Sequence, residues 1–251
     1  MIIDFSISGN FIIATHISGI YDVNRNGILA NDDFSLVADW AASITALGLQ
    51  GIIFHNNFSE ATCKLYQSEH LHFVRVEYNP VYNPNVFRYF IYAAFLQLQS
   101  HTINNIFFTD SSDVIVLKNP FEEKLYLNNP TTIFCGDEPA ILDNEWMQQH
   151  SQHFRNKIPG YAAYETKYKN ETLLNCGIMG GSILVMHPFI EQLVLIHQQY
   201  NSDNKTAYTG DMGAFNYLIR TRYNNKVING YPVNTIFKNY SNDKSCWFKH
   251  K

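Results

Sequence analysis

The sequence is poor in cysteine, in excess charge and in long apolar runs, and each shortage excludes a class of protein. None of its four cysteines forms a Cys-x-x-Cys pair, so no zinc site of that type is indicated. We expect the reduced, mostly buried thiols of a cytosolic protein at Cys63, Cys135, Cys176 and Cys246. The formal net charge is −4 over 251 residues, which argues against a general nucleic-acid-binding protein.

Membrane-spanning and secretory segments are also absent from the sequence pattern. No apolar run reaches the roughly 20 residues that a transmembrane helix needs. The first residues show no basic region followed by a long apolar run, so we expect no signal peptide. We therefore expect a cytoplasmic protein with at most peripheral association at the inner face of a membrane. Residues 1–251 suffice for one α/β domain, which is the predicted organisation.

Short apolar runs alternate with amphipathic stretches along the first half of the chain. Strands are predicted at 11–16, 51–55 and 73–76, with a helix between the first two. Pro84 is placed to open another helix, and Arg88 lies one residue off the apolar stripe of that helix. Because strand–helix–strand alternation favours parallel pairing, we predict an α/β fold with a mostly parallel central sheet flanked by helices.

The second half of the chain is less regular. Residues 119–172 contain four prolines, two histidines and several tyrosines, and we predict an irregular insertion that forms a cleft wall. After it, residues 183–186 have the composition of a buried strand, and Pro188 is placed to start the next helix. A late helix follows, with Asp211 where it opens.

One acidic stretch separates two apolar runs near the middle of the chain. Residues 106–108 are apolar, Asp110, Ser111 and Asp113 belong to a polar cluster, and residues 114–117 are mostly β-branched. The carboxyl edge of a parallel sheet is where open α/β folds bind ligands. Carboxylates there are hard ligands for Mg²⁺ or Mn²⁺. The alternative is an ordinary turn, since Asp and Ser side chains bond nearby backbone groups.

Three other positions carry candidate chemistry beside a plainer interpretation. Asn175-Cys176-Gly177 permits close approach of a backbone to a ligand, or is a simple turn before a strand. Asp211 either serves a site or caps its helix. Arg88 either pairs with Asp110 or reaches a phosphate group, or it lies on the surface of an amphipathic helix.

Taken in order, these motifs resemble those of a known enzyme family. The acidic motif before a β-branched strand, Asn175-Cys176-Gly177, an aspartate opening a late helix and a final histidine beside lysines resemble GT-A fold nucleotide-sugar glycosyltransferases. They are most similar to the retaining lipopolysaccharide galactosyltransferase and glycogenin family. In that family an Asp-x-Asp motif and a late histidine hold Mn²⁺. The resemblance implies Mn²⁺ or Mg²⁺ held by Asp110, Asp113 and His250, with Ser111 as the alternative to Asp110.

The resemblance also implies roles for the remaining candidates. Asp211 and Asn175 would act at the reacting sugar, although Met212 stands where the family often has glutamine. Residues that would bind the nucleotide are Thr15, His16, Arg88, Ser111, Gly177 and Lys249. A lone histidine such as His16 is more often structural. Lys249 and Lys251 would add positive charge near the ion, on a C-terminal segment that closes over the nucleotide as a lid.

The function implied is transfer of a hexose, taken as galactose, from a UDP-sugar to a saccharide or glycolipid acceptor. The setting would be bacterial surface polysaccharide or lipopolysaccharide synthesis, with retention of configuration, and residues 119–172 would form part of the acceptor cleft. A nucleotidyltransferase or sugar-nucleotide hydrolase is the first alternative, but residues 15–19 lack the Gly-rich phosphate loop it needs. A non-catalytic carbohydrate-binding module is the second, and the length and acidic strand end argue against it.

Overall fold

A computed structural model describes residues 3, 5–22, 25–201 and 210–251 of the chain. Its strands are β1 (Gly9–His16), β2 (Tyr21–Asp22), β3 (Gly27–Ile28), β4 (Gly51–His55), β5 (Leu71–Arg75), β6 (Ile103–Thr109), β7 (Val114–Val116), β8 (Ile133–Ile141), β9 (Thr172–Ser182), β10 (Val227–Asn229) and β11 (Phe248–His250). Its α-helices are α1 (Ser35–Ala46), α2 (Glu60–Tyr66), α3 (Pro84–Gln99), α4 (Lys124–Leu127), α5 (Glu145–His150), α6 (Gln152–Lys157), α7 (Tyr161–Tyr168), α8 (Ile183–Tyr200) and α9 (Gly210–Leu218).

Seven strands form the central sheet in the order β10-β8-β9-β6-β1-β4-β5. Neighbouring strands are parallel except at β9, which runs antiparallel to both β8 and β6. The predicted α/β fold with a mostly parallel, helix-flanked sheet is therefore confirmed. Two short antiparallel pairs lie outside this sheet: β2 with β3, and β7 with β11.

Both faces of the sheet are buried, as strand β1 illustrates. Phe11 and Ile13 belong to one core cluster, which also contains side chains of α3, α8 and α9. Ile12 and Ala14 belong to a second cluster, with side chains of α1, β7 and β11. Because successive side chains of a strand point to opposite faces, a strand covered on both sides reads as a continuous apolar run. This is the pattern from which the strand was predicted.

The cysteines and the helices bear on two further expectations. All four cysteines are free thiols, and three of them are buried. None of the helices within the described ranges is long and apolar enough to cross a membrane.

Residues 183–186 form the first turn of α8, and not the predicted strand. The extended chain of β9 ends at Ser182, whose hydroxyl donates to the Pro130 carbonyl oxygen at 2.7 Å. Buried positions then recur at helical spacing: Val185, Met186, Phe189, Ile190 and Leu193. This 3.6-residue period outweighs the β propensity of the first four residues. Pro188 consequently lies inside the helix and does not start it.

Part of the stretch 119–172 belongs to the central sheet, so the predicted irregular insertion is wrong there. Strand β8 lies between β10 and β9, and residues 133–136 are buried. Pro139, which suggested a break, lies where β8 and β9 lose their regular register between Asp137 and Ile141. A proline is tolerated where ladder hydrogen bonds are already missing. The short helices α4 to α7 occupy much of the remaining stretch.

Candidate active site

Three possible metal ligands meet beyond the carboxyl end of β6. Asp110 follows β6 directly, Asp113 precedes β7, and His250 is the last residue of β11. One ligand atom from each of these residues lies within 4.8 Å of the others. Within the described ranges, Asp110, Asp113 and His250 could therefore hold a metal ion, and we call these three residues the metal group. Carboxylate oxygens are the ligands that Mg²⁺ and Mn²⁺ prefer, and a neutral imidazole nitrogen provides the third.

The pairing of β7 with β11 brings Asp113 and His250 together. Val114 lies opposite His250 in this pair, and the Lys251 backbone N–H donates to the Asp113 carbonyl oxygen at 2.8 Å. The His250 backbone N–H donates to Thr235 Oγ1 at 3.1 Å. Burial lowers the pKa of His250 to about 4, so its ring is neutral at pH 7. Neutral imidazole is the form that binds metals.

The C-terminal segment is part of the core, so the predicted lid is wrong. Trp247 and Phe248 are fully buried and belong to the same core cluster as the buried side chains of α1. The Trp247 backbone N–H donates to the Pro232 carbonyl oxygen at 2.8 Å. Two large buried aromatic side chains anchor the segment that carries His250. A segment held in this way cannot open and close over a nucleotide without unpacking the core.

Lys249 does not reach the position predicted for it. Side chains alternate along a strand, and Lys249 precedes His250 in β11. Its Nζ donates to Asn242 Oδ1 at 2.7 Å, and the residue does not line the cleft around the metal group. Lys238 and Lys251 line that cleft instead. The alternation of β11 explains the correction, because the strand itself was missing from the sequence prediction.

Arg88 is a buried cation beside the metal group. Its guanidinium pairs with the Asp110 carboxylate and lies 3.5 Å from Asp211 Oδ2. Its Nη2 also donates to Cys176 Sγ at 3.2 Å. Because Arg88 is only 6% exposed, the alternative of a surface residue on an amphipathic helix is wrong. The predicted pairing with Asp110 is present.

Asp211 lies one residue inside α9 and faces the same cleft. It is buried, and burial raises the pKa of its carboxyl while the nearby Arg88 charge opposes that rise. The Cys176 thiol donates to Asp211 Oδ2 at 3.6 Å. A carboxylate in the first turn of a helix is also favoured by the helix dipole. Because Asp211 lies inside α9, the alternative that it caps this helix is wrong, and its carboxylate has a place in the cleft.

Gly177 allows the backbone of β9 to approach the metal group. The Asp110 N–H donates to the Gly177 carbonyl oxygen at 2.8 Å, and the Gly177 N–H donates to Asn175 Oδ1 at 2.7 Å. A Cβ atom at position 177 would lie 2.5 Å from Asp110 Oδ2 and 2.9 Å from His250 Cε1. Any larger residue would displace a possible metal ligand. The plain-turn interpretation is wrong, since these residues lie within β9.

Glu138 is a cleft carboxylate that the sequence prediction missed. It lines the cleft, and its Oε1 accepts a hydrogen bond from Asn175 Nδ2 at 2.8 Å. Burial raises the pKa of Glu138. Its only sequence signal was an acidic pair ahead of Pro139, inside the stretch predicted to be irregular. Recognising β8 as a strand of the sheet was needed to bring Glu138 to this edge.

Two adjoining cavities extend from the metal group. The first has a volume of about 160 Å³ and includes Thr15, His16 and Ser111 in its wall. The second, the cleft, has a volume of about 570 Å³ and includes Asn175 and Asp211. Residues common to both walls are Arg25, Asn85, Arg88, Asp110 and Asp113. With the exception of Lys249, every predicted site residue lines one or both cavities.

The smaller cavity has a neutral wall on its β1 side. Burial lowers the pKa of His16 to about 4, and its ring stacks on Phe58 with 5.1 Å between ring centroids. Ser111 Oγ donates to the Thr15 carbonyl oxygen at 3.3 Å. Asp110 lies with Asp113 and His250 in the group of possible metal ligands. The Ser111 hydroxyl is already engaged with the Thr15 carbonyl oxygen. Asp110 therefore stays the predicted ligand beside Asp113, with Ser111 as the alternative.

Among the described residues, Asp113 forms no ion pair with a lysine or arginine, although the more distant charges of Arg25 and Arg88 lower its pKa. Within the described ranges its nearest ion-pair partner is His250 Nε2 at 4.0 Å, and that ring is neutral at pH 7. Its Oδ1 has no hydrogen-bond partner there. Burial, together with the charge of Asp110, raises the pKa of Asp113 well above its usual range. A cation bound at the group would relieve both effects.

Comparison with known proteins identifies the architecture. The chain is similar to a solved structure of the galactosyltransferase LgtC in complex with donor and acceptor sugar analogs, with a TM-score of 0.52 at 14% sequence identity. The match covers 96% of this chain and 86% of that one. The chain has the GT-A fold. No protein-family model and no curated protein sequence matches it. At this level of identity the GT-A likeness describes the fold, so activity must be inferred from the site.

Proposed function

We propose that this protein is a metal-dependent glycosyltransferase that transfers a hexose from a UDP-sugar to a saccharide acceptor. The observation that carries the proposal is the group of Asp110, Asp113 and His250 at the carboxyl edge of a GT-A sheet. A cleft and a smaller cavity adjoin this group on two sides. Such a layout suits a substrate with a charged middle and two uncharged ends, as a nucleotide sugar has.

The three ligand residues fit Mn²⁺ or Mg²⁺. Asp110 and Asp113 would contribute carboxylate oxygens and His250 a neutral ring nitrogen. When bound, the ion supplies Lewis-acid neutralisation of the charge that develops on a leaving diphosphate. The unbalanced charge of Asp113 and the glycine at position 177 both support a cation at this place.

The diphosphate would lie along the wall that both cavities share. Arg25 belongs to that wall, and Lys238 and Lys251 line the cleft beyond it. Arg25 pairs with Asp22 and Lys251 with Asp39, each at 2.6 Å, and neither pairs with a possible metal-ligand aspartate. A diphosphate would compete with these partly exposed partners for the positive charge. The base would then occupy the smaller cavity, against Thr15 and the neutral ring of His16.

The reacting sugar would lie in the cleft, near Asp211 and Asn175. Arg88 holds Asp211 in place and partly offsets its charge. A carboxylate at that position orients donor hydroxyls and stabilises positive charge at the anomeric carbon. Met212 stands where the family that the motifs resemble often has glutamine. Its sulfur lies 3.5 Å from Cys176 Sγ, and the residue also lines the cleft. Asn175 and its partner Glu138 are the polar groups that remain to orient a sugar.

The finer features of the proposal derive from the order of the motifs alone. These are galactose as the donor sugar, retention of configuration, and a saccharide or glycolipid acceptor in bacterial surface polysaccharide or lipopolysaccharide synthesis. The stretch 119–172 contributes Glu138 and Trp146 to the cleft wall, which supports an acceptor cleft there.

The test is a thermal-shift screen of UDP, GDP and CMP, each with and without Mn²⁺. A glycosyltransferase should be stabilised by UDP with Mn²⁺ more than by either alone, whereas a carbohydrate-binding module should show no metal-linked nucleotide response. Acceptor-free hydrolysis of a UDP-sugar panel, with NMR of the first-released anomer, then reports the donor sugar and the stereochemistry. Nucleotidyl transfer would instead release pyrophosphate from a nucleoside triphosphate, and that outcome would replace the proposal.

A further inference from the structure

A third cavity adjoins the cleft at Glu138. Its volume is about 370 Å³, and Glu138 and Phe237 belong to its wall as well as to the wall of the cleft. The volumes of this cavity and of the cleft, about 370 and 570 Å³, fall in the range of roughly 300–1,000 Å³ that is usual for small-ligand sites. A ligand seated at Glu138 can therefore extend from one cavity into the other.

The walls of this groove combine apolar faces with hydrogen-bonding groups. Tyr231 and Ile236 are 69% and 59% exposed, so their apolar surfaces are open to a ligand. The polar groups of the wall include Asp137, Glu138, Asn234, Thr235, Asn239, Ser241 and Asp243. None of the lining residues is lysine or arginine. The groove is consequently acidic, in contrast to the wall that would hold the diphosphate.

The groove is built on fixed structure. The Asp137 carboxylate accepts hydrogen bonds from Asn229 Nδ2 at 3.2 Å and Asn234 Nδ2 at 3.3 Å. The Thr235 N–H donates to the Phe248 carbonyl oxygen at 2.9 Å, which ties this wall to β11. A pre-formed site loses less conformational entropy when a ligand binds.

The lining chemistry matches a saccharide. A sugar ring has apolar C–H faces, which pack on an aromatic ring, and a rim of hydroxyl groups, which carboxylates and amides bind. Lys238 and Lys118 act on Glu138 and Asp243 from outside the wall, but the three lining carboxylates outnumber them and disfavour a phosphate or a uronic acid. The carboxylates accept hydrogen bonds from neutral sugars and attract protonated amino sugars.

We propose that this groove is a second acceptor subsite, which holds the sugar residue next to the one that is glycosylated. The acceptor would then be a neutral or amino-substituted oligosaccharide of at least two residues, with Glu138 at the junction of its two subsites. This inference rests on the proposed glycosyltransferase function and adds the acceptor class to it.

The test is binding of fluorescently labelled protein, with UDP and Mn²⁺, to an array of defined neutral, amino and acidic oligosaccharides and their terminal monosaccharides. We expect a neutral or amino oligosaccharide to be retained better than its own terminal monosaccharide. Tyr231→Ala should reduce that retention about threefold to tenfold, the range expected for one aromatic contact. Tyr240→Ala is the matched control, since Tyr240 is 64% exposed in the same segment but does not line the groove.

The proposal is overturned if no glycan is retained, if monosaccharides bind as well as oligosaccharides, if acidic glycans are preferred, or if Tyr231→Ala binds like Tyr240→Ala. The UDP–Mn²⁺ thermal shift is measured on the same samples. A protein without that shift fails the proposed function, whereas a protein with the shift but without oligosaccharide preference fails only the second subsite. The two failures are therefore distinguishable.

Discussion

The two sides of the cleft treat their carboxylates differently. On one side, Arg88 pairs with Asp110 and approaches Asp211, so positive and negative charges are matched within the protein. On the other side, Asp113 lies beside His250, a neutral ring that matches no charge at pH 7. Asp110 and Asp113 are three residues apart in sequence yet belong to these two different environments.

The difference separates structural charge from charge that is available to a ligand. A buried ion pair whose partners are both present contributes little net stability, but removing one partner is costly. A carboxylate without a paired cation behaves in the opposite way. Removing its charge stabilises the folded protein, but the bound ligand loses a contact. The Arg88 side should therefore be sensitive in folding, and the Asp113 side in ligand binding.

The largest effect is expected on the Arg88 side. Arg88→Met removes the only cation paired with Asp110 and Asp211 among the described residues, which leaves two carboxylates unmatched in a partly buried site. We expect the free energy of unfolding to fall by about 3–5 kcal/mol, the cost of breaking a buried pair. Urea unfolding at pH 7 measures it, with Arg222→Met on an exposed position as the control. Equal stability of the two variants would show that Arg88 is not a structural cation.

On the opposite side, Asp113→Asn should leave folding intact and remove the metal-linked response. Asn keeps the shape of the side chain but not its charge. We expect an unchanged or slightly higher free energy of unfolding, because the cost of burying a carboxylate beside Asp110 is removed. Transfer should fall by about 10²–10³-fold, as when one preorganised electrostatic group is lost. Calorimetric titration with Mn²⁺ and a UDP-sugar hydrolysis assay check both. The control is Asp143→Asn, an exposed aspartate outside the cavities; near-normal turnover in Asp113→Asn would contradict the metal site.

The third variant, Asp211→Asn, tests a residue that belongs to both parts of this comparison. Asp211 lies on the Arg88 side of the cleft, but in the proposed function it would act on the sugar. Arg88 keeps its ion pair with Asp110 in this variant, so we expect the melting temperature to change by only a few degrees. Turnover should fall by about two orders of magnitude, because the negative charge beside the anomeric carbon is lost. Both are measured on one variant. Unchanged turnover would leave Asp211 with a purely structural role.

A pH titration extends the comparison to a buried histidine outside the cleft. Burial lowers the pKa of His55 to about 4, so the unfolded chain binds a proton below its ordinary pKa of about 6.5 while the folded protein does not. This contribution to stability is complete above pH 6.5 and is lost as the pH falls towards 4. We expect the slope of unfolding free energy against pH to be reduced in His55→Gln, by at most about 1.4 kcal/mol per pH unit. Identical slopes in urea unfolding between pH 6.5 and 4 would rule this out.

The smallest effect separates two lysines that flank His250. Lys251 lines the cleft and Lys249 does not, so only Lys251→Met should weaken binding of UDP with Mn²⁺. The loss should be about twofold to fivefold, the range for a solvent-screened ion pair. Lys249→Met serves as the matched control in the same calorimetric titration. A larger loss in Lys249→Met would restore the role that the sequence suggested for it.

The sequence predicted the elements with a strong local pattern. Continuous apolar runs identified β1 and β4, Pro84 marked the start of α3, and the acidic stretch after β6 led to Asp110 and Asp113. Ion pairing inside the cleft was partly predictable, because an arginine and a carboxylate on elements that are adjacent in the sequence can pair with each other. The pairing of Arg88 with Asp110 follows that pattern.

The sequence failed where long-range packing decides the outcome. Residues 183–186 include the β-branched Ile183 and Val185 and are yet helical, because their buried neighbours recur at helical spacing. Glu138 was missed because β8 carries Pro139 and loses its register there. Lys249 was named as a nucleotide-binding residue because nothing local predicts that residues 248–250 pair with β7 and alternate in direction. Each of these facts depends on a contact between distant parts of the chain.

The pairing of β7 with β11 also has a kinetic consequence. His250 reaches Asp113 only when residues 248–250 align with residues 114–116, a contact between segments far apart in sequence. Closing a long loop costs chain entropy before the contact repays it, and such contacts slow folding. The metal group should thus mature late in refolding, after the local β1–α1–β4 unit. In a stopped-flow experiment, Trp247 burial and recovery of Mn²⁺ binding should share one slow phase, since both report on the same strand.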